Sequence, residues 1–477
     1  MTARAKAGAD GGTRTKAGAD GGTRTKAGAD GGARTKAGAD GGTRAKAGPD
    51  GGTRAEAVPV LDTDALIDDP DIRIIVCCGS GGVGKTTTAA ALGVRAAERG
   101  RKVVVLTIDP ARRLAQSMGI DSLDNVPRRV KGIEGEGAGE LHAMMLDMKR
   151  TFDEIVEAHA DAERARAILE NPFYQSLSAG FAGTQEYMAM EKLGQLRARE
   201  EWDLIVVDTP PSRSALDFLD APKRLGSFLD GKFIKLLMAP AKMGGRAGMK
   251  FLNVGMSMMT GTLGKLLGGQ FLRDVQTFVA AMDTMFGGFR TRADATYKLL
   301  QAPGTAFLVV ATPERDALRE AAYFVERLAA EDMPLAGLVL NRVHGSEAAR
   351  LSAEQAMAAA ESLQAENLEN DGIVDQAAGK AGLREPADSP AAGHPPAPSE
   401  AEADRRPVTT EELTAGLLRL HAERMQMVAR EQDTRDSFTA LHPEVPVTAV
   451  AALPGDVHDL SGLRAVGDRL ATGSAPA

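Results

Sequence analysis

Residues 74–86 constrain this chain more than any other stretch. An unbroken apolar run, Ile74-Ile75-Val76-Cys77-Cys78, leads into Gly79-Ser80-Gly81-Gly82-Val83-Gly84-Lys85-Thr86; Thr87 and an alanine-rich stretch to about Arg99 follow, closed by Gly100. A run that is apolar at every position predicts a strand buried on both faces of a parallel sheet. The alanine-rich stretch predicts a helix from about Thr86, with Gly100 as its stop. The loop between them matches G-x-x-x-x-G-K-[ST] in the strand-to-helix setting where that motif cradles phosphate. Its glycines allow backbone N–H groups to converge on phosphate oxygens, and the helix N-terminus adds its dipole. Lys85 is expected to reach the β- and γ-phosphates and Thr86 to ligate a divalent cation, so the cofactors implied are ATP and Mg2+.

Further apolar runs recur along the chain: Lys102–Thr107, Asp203–Asp208, Ala306–Ala311, Leu335–Leu340 and Pro446–Ala451. They alternate with helical segments, which predicts an α/β fold with a doubly wound, mostly parallel sheet of the P-loop NTPase type and a helical, Met-rich insertion. Nucleotide then sits at the carboxyl ends of the strands. Two aspartates end such strands. Asp208, in Val206-Val207-Asp208-Thr209-Pro210-Pro211, stands where a P-loop enzyme holds its metal. Asp109, in Thr107-Ile108-Asp109-Pro110-Ala111-Arg112-Arg113, is placed to orient an attacking water. The alternative for each is a turn-capping aspartate. Arg112, Arg113 and Arg213 follow these strands, either as surface arginines or with one of them facing transition-state charge.

The domain organisation read from composition is discontinuous. Residues 1–55 hold five copies of a ten-residue repeat rich in Gly, Ala, Lys, Arg and Asp, with no large apolar residue, and are expected to be disordered. They serve as an inert tail or an electrostatic tether, or reflect a start assigned too far upstream. Residues 56–215 form the first part of the core, 216–300 a helical Met/Gly-rich insertion, and 301–345 the return strands. Residues 346–408 read as a disordered Ala/Pro-rich insertion, and 409–477 as a helix and the last strand. The helix there is announced by Thr409 and Thr410 with Glu411 and Glu412 behind them.

The net charge of −8 argues against nucleic acid as a partner. Cys77 and Cys78 are the only cysteines; adjacent in an apolar run, they are expected to be small buried hydrophobes rather than a disulfide. No run approaches the roughly 20 apolar residues of a membrane span, and no apolar signal region is visible near the N-terminus. A cytoplasmic protein is expected.

Gly-Gly-Val-Gly-Lys-Thr-Thr after a strand, Asp-Pro-Ala after the second and Asp-Thr-Pro-Pro after the third resemble the deviant-Walker ATPases. Within that class the long gap between Asp208 and the strand at Ala306 is similar to the arsenical pump and tail-anchored-protein targeting branch. The resemblance extends to Thr312-Pro313-Glu314, Leu340-Asn341-Arg342 and Leu453-Pro454-Gly455-Asp456. It implies that Asn341 recognises adenine and that Pro454 lies near the base. It also implies a dimer, with itself or a related ATPase subunit, and an apolar helical client or a membrane protein as partner. The chain departs from the family where a signature lysine is replaced by Ser80, where a His and an Asn become Arg112 and Arg113, and where a Gly-His becomes Arg213-Ser214. It also lacks a Cys-x-x-Cys pair.

Eight of the 19 methionines fall within residues 238–285, which suits either core packing or an adaptable apolar surface for clients. The leading expectation is an ATP hydrolase that couples ATP binding and hydrolysis to a conformational switch. A partition- or positioning-type ATPase and a nucleotide-bound regulatory scaffold with little turnover are the alternatives.

Overall fold

The structure, a computed structural model, describes residues 59–109, 113–133, 135, 137–177, 185–210, 291–378 and 408–473, with isolated positions between 274 and 288. The expectations for the N-terminal repeats, for most of the Met-rich insertion, and for Arg112 and Arg213 lie outside the described residues.

Among the described residues eight strands form one sheet: β1 Ile74–Cys78, β2 Lys102–Thr107, β3 Arg128–Arg129, β4 Glu140–Met145, β5 Leu204–Asp208, β6 Thr305–Ala311, β7 Leu335–Val343 and β8 Val447–Ala451. Their order is β3-β4-β2-β5-β1-β6-β7-β8, and every pairing is parallel except that of β3 with β4. The mostly parallel, doubly wound α/β sheet expected from the apolar runs is therefore present. Alternation along each strand divides its side chains between two cores. Ile74, Val76 and Cys78 join one, with Val104, Leu106, Ile205 and Val207; Ile75 and Cys77 join the other, with Val103, Val105, Leu204 and Val206. Each fully buried Val, Leu or Ile contributes roughly 1.5–3 kcal/mol, so the two-sided sheet is the stable centre. Both cysteines are free and buried, as expected of small hydrophobes.

On the Ile75 face lie α1 Thr63–Asp68, α2 Lys85–Glu98 and α3 Arg113–Ser117. The opposite face takes α4 Met148–His159, α5 Ala162–Leu169, α7 Gln185–Ala198 and most of α8 Arg315–Ala330, while α6 Pro172–Leu177 meets α4 through Tyr174 against Phe152. Two long helices follow, α9 Ala353–Ala378 and α10 Thr410–Leu441, and α11 Leu460–Thr472 closes the described chain. The apolar side of α11, Leu463, Val466 and Leu470, is buried with the α2 core. Among the described residues no helix is long and apolar enough to cross a membrane.

Three features differ from the sequence reading. Strands β3 and β4 have no counterpart in it: Glu140-Leu141-His142-Ala143-Met144-Met145 interleaves polar residues with apolar ones, so it lacks the continuous run that marks the central strands. Helix α2 begins at Lys85 rather than Thr86, because Gly84 already occupies the N-cap. The largest correction concerns residues 346–408, expected to be disordered throughout. Ala353–Ala378 is helical and packs against α10. Ala356 and Ala360 of α9 and Ala415 and Ala422 of α10 are all buried. Alanine is the strongest helix former, but methyl groups at these positions give no periodic signal of large apolar residues. Helix α10 starts as the sequence indicates, with Thr409 Oγ1 accepting from the Glu412 N–H at 3.2 Å and Glu412 Oε2 accepting from the Thr409 N–H at 3.1 Å.

An interface built on methyl groups is stabilised only modestly, at about 0.8 kcal/mol per buried carbon, and has no room for a charge. Ala360→Asp is expected to separate α9 from α10 while leaving the sheet folded. Hydrogen exchange would then show lost protection in residues 353–366 and unchanged protection in β1, β5 and β6; protection unchanged in α9 would contradict this packing.

Candidate functional site

The loop between β1 and α2 owes its shape to glycine at two positions. Gly79 has φ +149°, and a Cβ there would strike the Val310 carbonyl of β6. Gly84 has φ +95°, and a Cβ would run into the Asn341 side chain at the end of β7. Only glycine enters these conformations without strain and lets neighbouring strands approach so closely. Gly84 is also the N-cap of α2 and supplies no side-chain cap. The first N–H groups of the helix therefore remain directed at the cleft, an arrangement suited to an anion.

Lys85 opens α2 and is almost fully buried; its Nζ donates to the Ser80 carbonyl at 2.8 Å. Burial lowers its pKa from the ordinary lysine value, opposed chiefly by the nearby Asp208 carboxylate. Thr86, next in the helix, donates through Oγ1 to Asp208 Oδ2 at 2.8 Å. Asp208 ends β5 with no solvent exposure. The same Oδ2 accepts a second hydroxyl, Thr107 Oγ1 of β2, also at 2.8 Å, while Oδ1 is buried with no hydrogen-bond partner among the described residues. Burial pushes the Asp208 carboxyl up to about 6, against the downward pull of the two hydroxyls and Lys85.

A buried carboxylate oxygen without a partner is costly and calls for one. A hard divalent cation, which binds oxygen donors, satisfies it: the Thr86 hydroxyl and the Asp208 carboxylate form a fitting pair of oxygens. Thr86 and Asp208 are the two residues that the sequence expects to hold the metal, and the structure brings their oxygens to 2.8 Å of each other.

Thr107 is a residue that the sequence reading missed. Its hydroxyl donates to Asp208 and accepts from the Asp109 N–H at 3.2 Å, so one side chain locates both carboxylate-bearing strand ends. The only signal was a hydroxyl at the last position of an otherwise apolar strand. Thr209 makes a similar tie, donating to the Cys77 carbonyl at 2.8 Å.

A cleft of about 850 Å³ opens over the strand ends. Gly82, Gly84, Lys85, Thr86, Thr87, Asp109, Asn341 and Pro454 all line it. The loop, Asn341 of β7, Pro454 after β8 and Asp109 thus line one cleft, with Asp208 at the end of β5 bonded to Thr86. Gly79, Ser80, Gly81 and Val83 shape the loop without lining the cleft. Asn341 has both ends of its carboxamide engaged: Nδ2 donates to the Val83 carbonyl at 2.8 Å, and Oδ1 accepts from the Arg342 N–H at 3.0 Å. It clamps the end of β7 to the loop. The register of β7 shifts between Asn341 and Val343, and Arg342 has φ +59°. This bulge brings Arg342 to the cleft beside Asn341 instead of turning it to the opposite sheet face. Arg113, one of the arginines that the sequence offered as facing transition-state charge, lines the cleft; Gln116, His344, Asp456 and His458 also line it and were not assigned to it from sequence.

Thr107→Val keeps the shape of the strand and removes one of the two hydroxyls on Asp208. Leaving that buried carboxylate short of a donor is expected to cost about 1–3 kcal/mol, read by urea unfolding. Unchanged stability would mean that the hydroxyl does not organise the site.

The profile of the anion-transporting ATPases matches residues 72–371, more than half of the chain. ATPase GET3 of Malassezia globosa is 30% identical over 160 residues, covering 34% of this chain and 45% of that protein, so the match spans less than half of it. ATPase GET3 of Podospora anserina is 26% identical over 285 residues, covering 58% of this chain and 75% of the relative. ATPase ARSA2 of Chlamydomonas reinhardtii is 25% identical over 284 residues, covering 58% and 70%.

Proposed function

Because the chain belongs to the anion-transporting ATPase family, an ATP-hydrolysing family, we propose that it binds Mg-ATP in the cleft above β1, β5 and β7 and uses hydrolysis to drive a conformational switch. The switch handles an apolar client or drives a membrane partner, and the working unit is a dimer with itself or a related ATPase subunit. The observation that carries the reading is the arrangement around Asp208: its Oδ1 is buried with no hydrogen-bond partner among the described residues, while its Oδ2 accepts from the hydroxyl of Thr86, the residue that follows the loop lysine.

The roles follow from position. The loop N–H groups and the α2 N-terminus hold phosphate oxygens, and Lys85 leaves the Ser80 carbonyl for the β- and γ-phosphates. Thr86 and Asp208 hold the metal, which when bound neutralises charge on those phosphates. Asp109, located by Thr107 at the cleft wall, accepts a hydrogen bond from the attacking water and aligns it with the γ-phosphate. Asn341 and Pro454 border the base. Arg113 is a cation within the chain itself at the cleft, where Ser80 offers a partner subunit no charge. The burial of Leu463, Val466 and Leu470 against α2 disfavours a membrane-binding α11 and with it a positioning-type ATPase.

Two variants test the assignment together. Lys85→Ala is expected to abolish tight ATP binding. Asp109→Asn is expected to preserve binding and slow turnover by about 10²-fold or more, since water alignment acts mainly in the transition state. Binding by calorimetry and single-turnover hydrolysis would separate the two, and normal turnover in Asp109→Asn would remove that residue from the mechanism.

A further inference from the structure

His344 lines the cleft three residues beyond Asn341. Its ring Nδ1 lies 2.6 Å from Glu431 Oε1, and its backbone N–H donates to Glu431 Oε2 at 2.9 Å. Glu431 belongs to α10, and the side chains of His344 and Glu431 are 31% and 14% exposed. An ionised carboxylate only accepts, so the shared proton sits on Nδ1. Nε2 is then the ring nitrogen left unengaged, with no hydrogen-bond partner among the described residues. In the neutral imidazole it is an acceptor.

The sheet order tells which part of a nucleotide this acceptor would meet. β7 is two strands away from β1, about 10 Å at roughly 4.8 Å per strand. That carries the His344 end of β7 past the phosphate cradle towards the nucleoside. The donors there are the ribose hydroxyls and the exocyclic amine of adenine. Two more bonds hold the same loop to α10: Arg424 Nε donates to the Gly345 carbonyl at 2.7 Å, and His421 Nε2 lies 2.8 Å from the Leu351 carbonyl.

We propose that His344 is a specificity-determining residue whose Nε2 accepts a hydrogen bond from a nucleoside donor, and that Glu431 is its positioning residue, reaching in from α10. The proposal deepens the reading of the cleft as a nucleotide site and rests on it. It makes α10 a direct support of nucleoside recognition rather than a remote appendage.

The test is calorimetric binding of Mg-ATP, its 2′-deoxy and 3′-deoxy analogues, and the purine riboside triphosphate that lacks the exocyclic amine. In the unaltered chain one of these analogues binds about tenfold more weakly than ATP, which identifies the donor. His344→Ala weakens ATP by the same factor and no longer discriminates against that analogue. His344→Asn, which keeps both a donor for Glu431 and an acceptor for the ligand, restores part of the difference. Glu431→Ala reproduces the loss and Glu431→Gln recovers part of it. Hydrogen exchange supplies a second readout: nucleotide protects residues 424–431 in the unaltered chain and not in His344→Ala. Equal weakening of all four ligands, or affinities in His344→Ala that match the unaltered chain, would overturn the assignment alone. An unaltered chain that binds no Mg-ATP would overturn the nucleotide reading as well.

Discussion

The structure turns on one desolvated carboxylate. Asp208 is shut off from water at the point where three parallel strands end, and it is kept there by two hydroxyls, one from the helix after the loop and one from β2. Removing a carboxylate from water is unfavourable, and two hydroxyl donors offset only part of that cost. The residue is therefore held at a disadvantage that a bound cation would relieve. Its surroundings follow from the same need. Thr107 must end its strand level with Asp208, which sets the β2–β5 register of Thr107 against Asp208, and Cys77 is level with Asp208 across β1. The site is thus a property of the registers of the sheet, as much as of the loop above it.

Stability and function are distributed differently. The branched, tightly enclosed side chains of β1, β2, β5 and β6 make the platform, whereas the features that border the cleft are looser in kind. They comprise a glycine loop, a bulged strand end with a non-glycine residue in the left-handed region, and a turn at 453–458 with exposed residues. Helix α10 bridges the two regimes. Phe438 near its end is buried in the main core, while Glu431, Arg424 and His421 hold the loop after β7. A change at the cleft can therefore reach α10 through polar bonds without disturbing the sheet.

How much of this was legible depended on the kind of side chain involved. The central strands announced themselves because a strand covered on both faces must be apolar at every position. The phosphate loop was readable because glycine and lysine at fixed spacing have few other uses. Asp109 and Asp208 were visible as charges interrupting apolar runs. Thr107 was not, since a threonine at a strand end is unremarkable until its two partners are seen. β4 was hidden by His142 and Glu140, and α9 by the smallness of its alanines. His344 and Glu431 are 87 residues apart, and no local pattern relates them. Long-range polar pairs of this type carry no periodicity, and only the fold brings them into view.

The pairing of β7 with β8 has a consequence for how the molecule is made. These neighbours are parallel, yet one ends at Val343 and the other starts at Val447, with α9 and α10 between them. Closing so long an excursion is entropically costly only in the logarithm of its length, but it delays the contact. During synthesis from the N-terminus, β1 through β7 and the phosphate loop can assemble while the cleft still lacks its 453–458 wall. The nascent chain would pass through a stage with a formed phosphate cradle and an open nucleoside side. Retention of nucleotide would begin only when β8 docks, so ligand capture would mark completion of the fold.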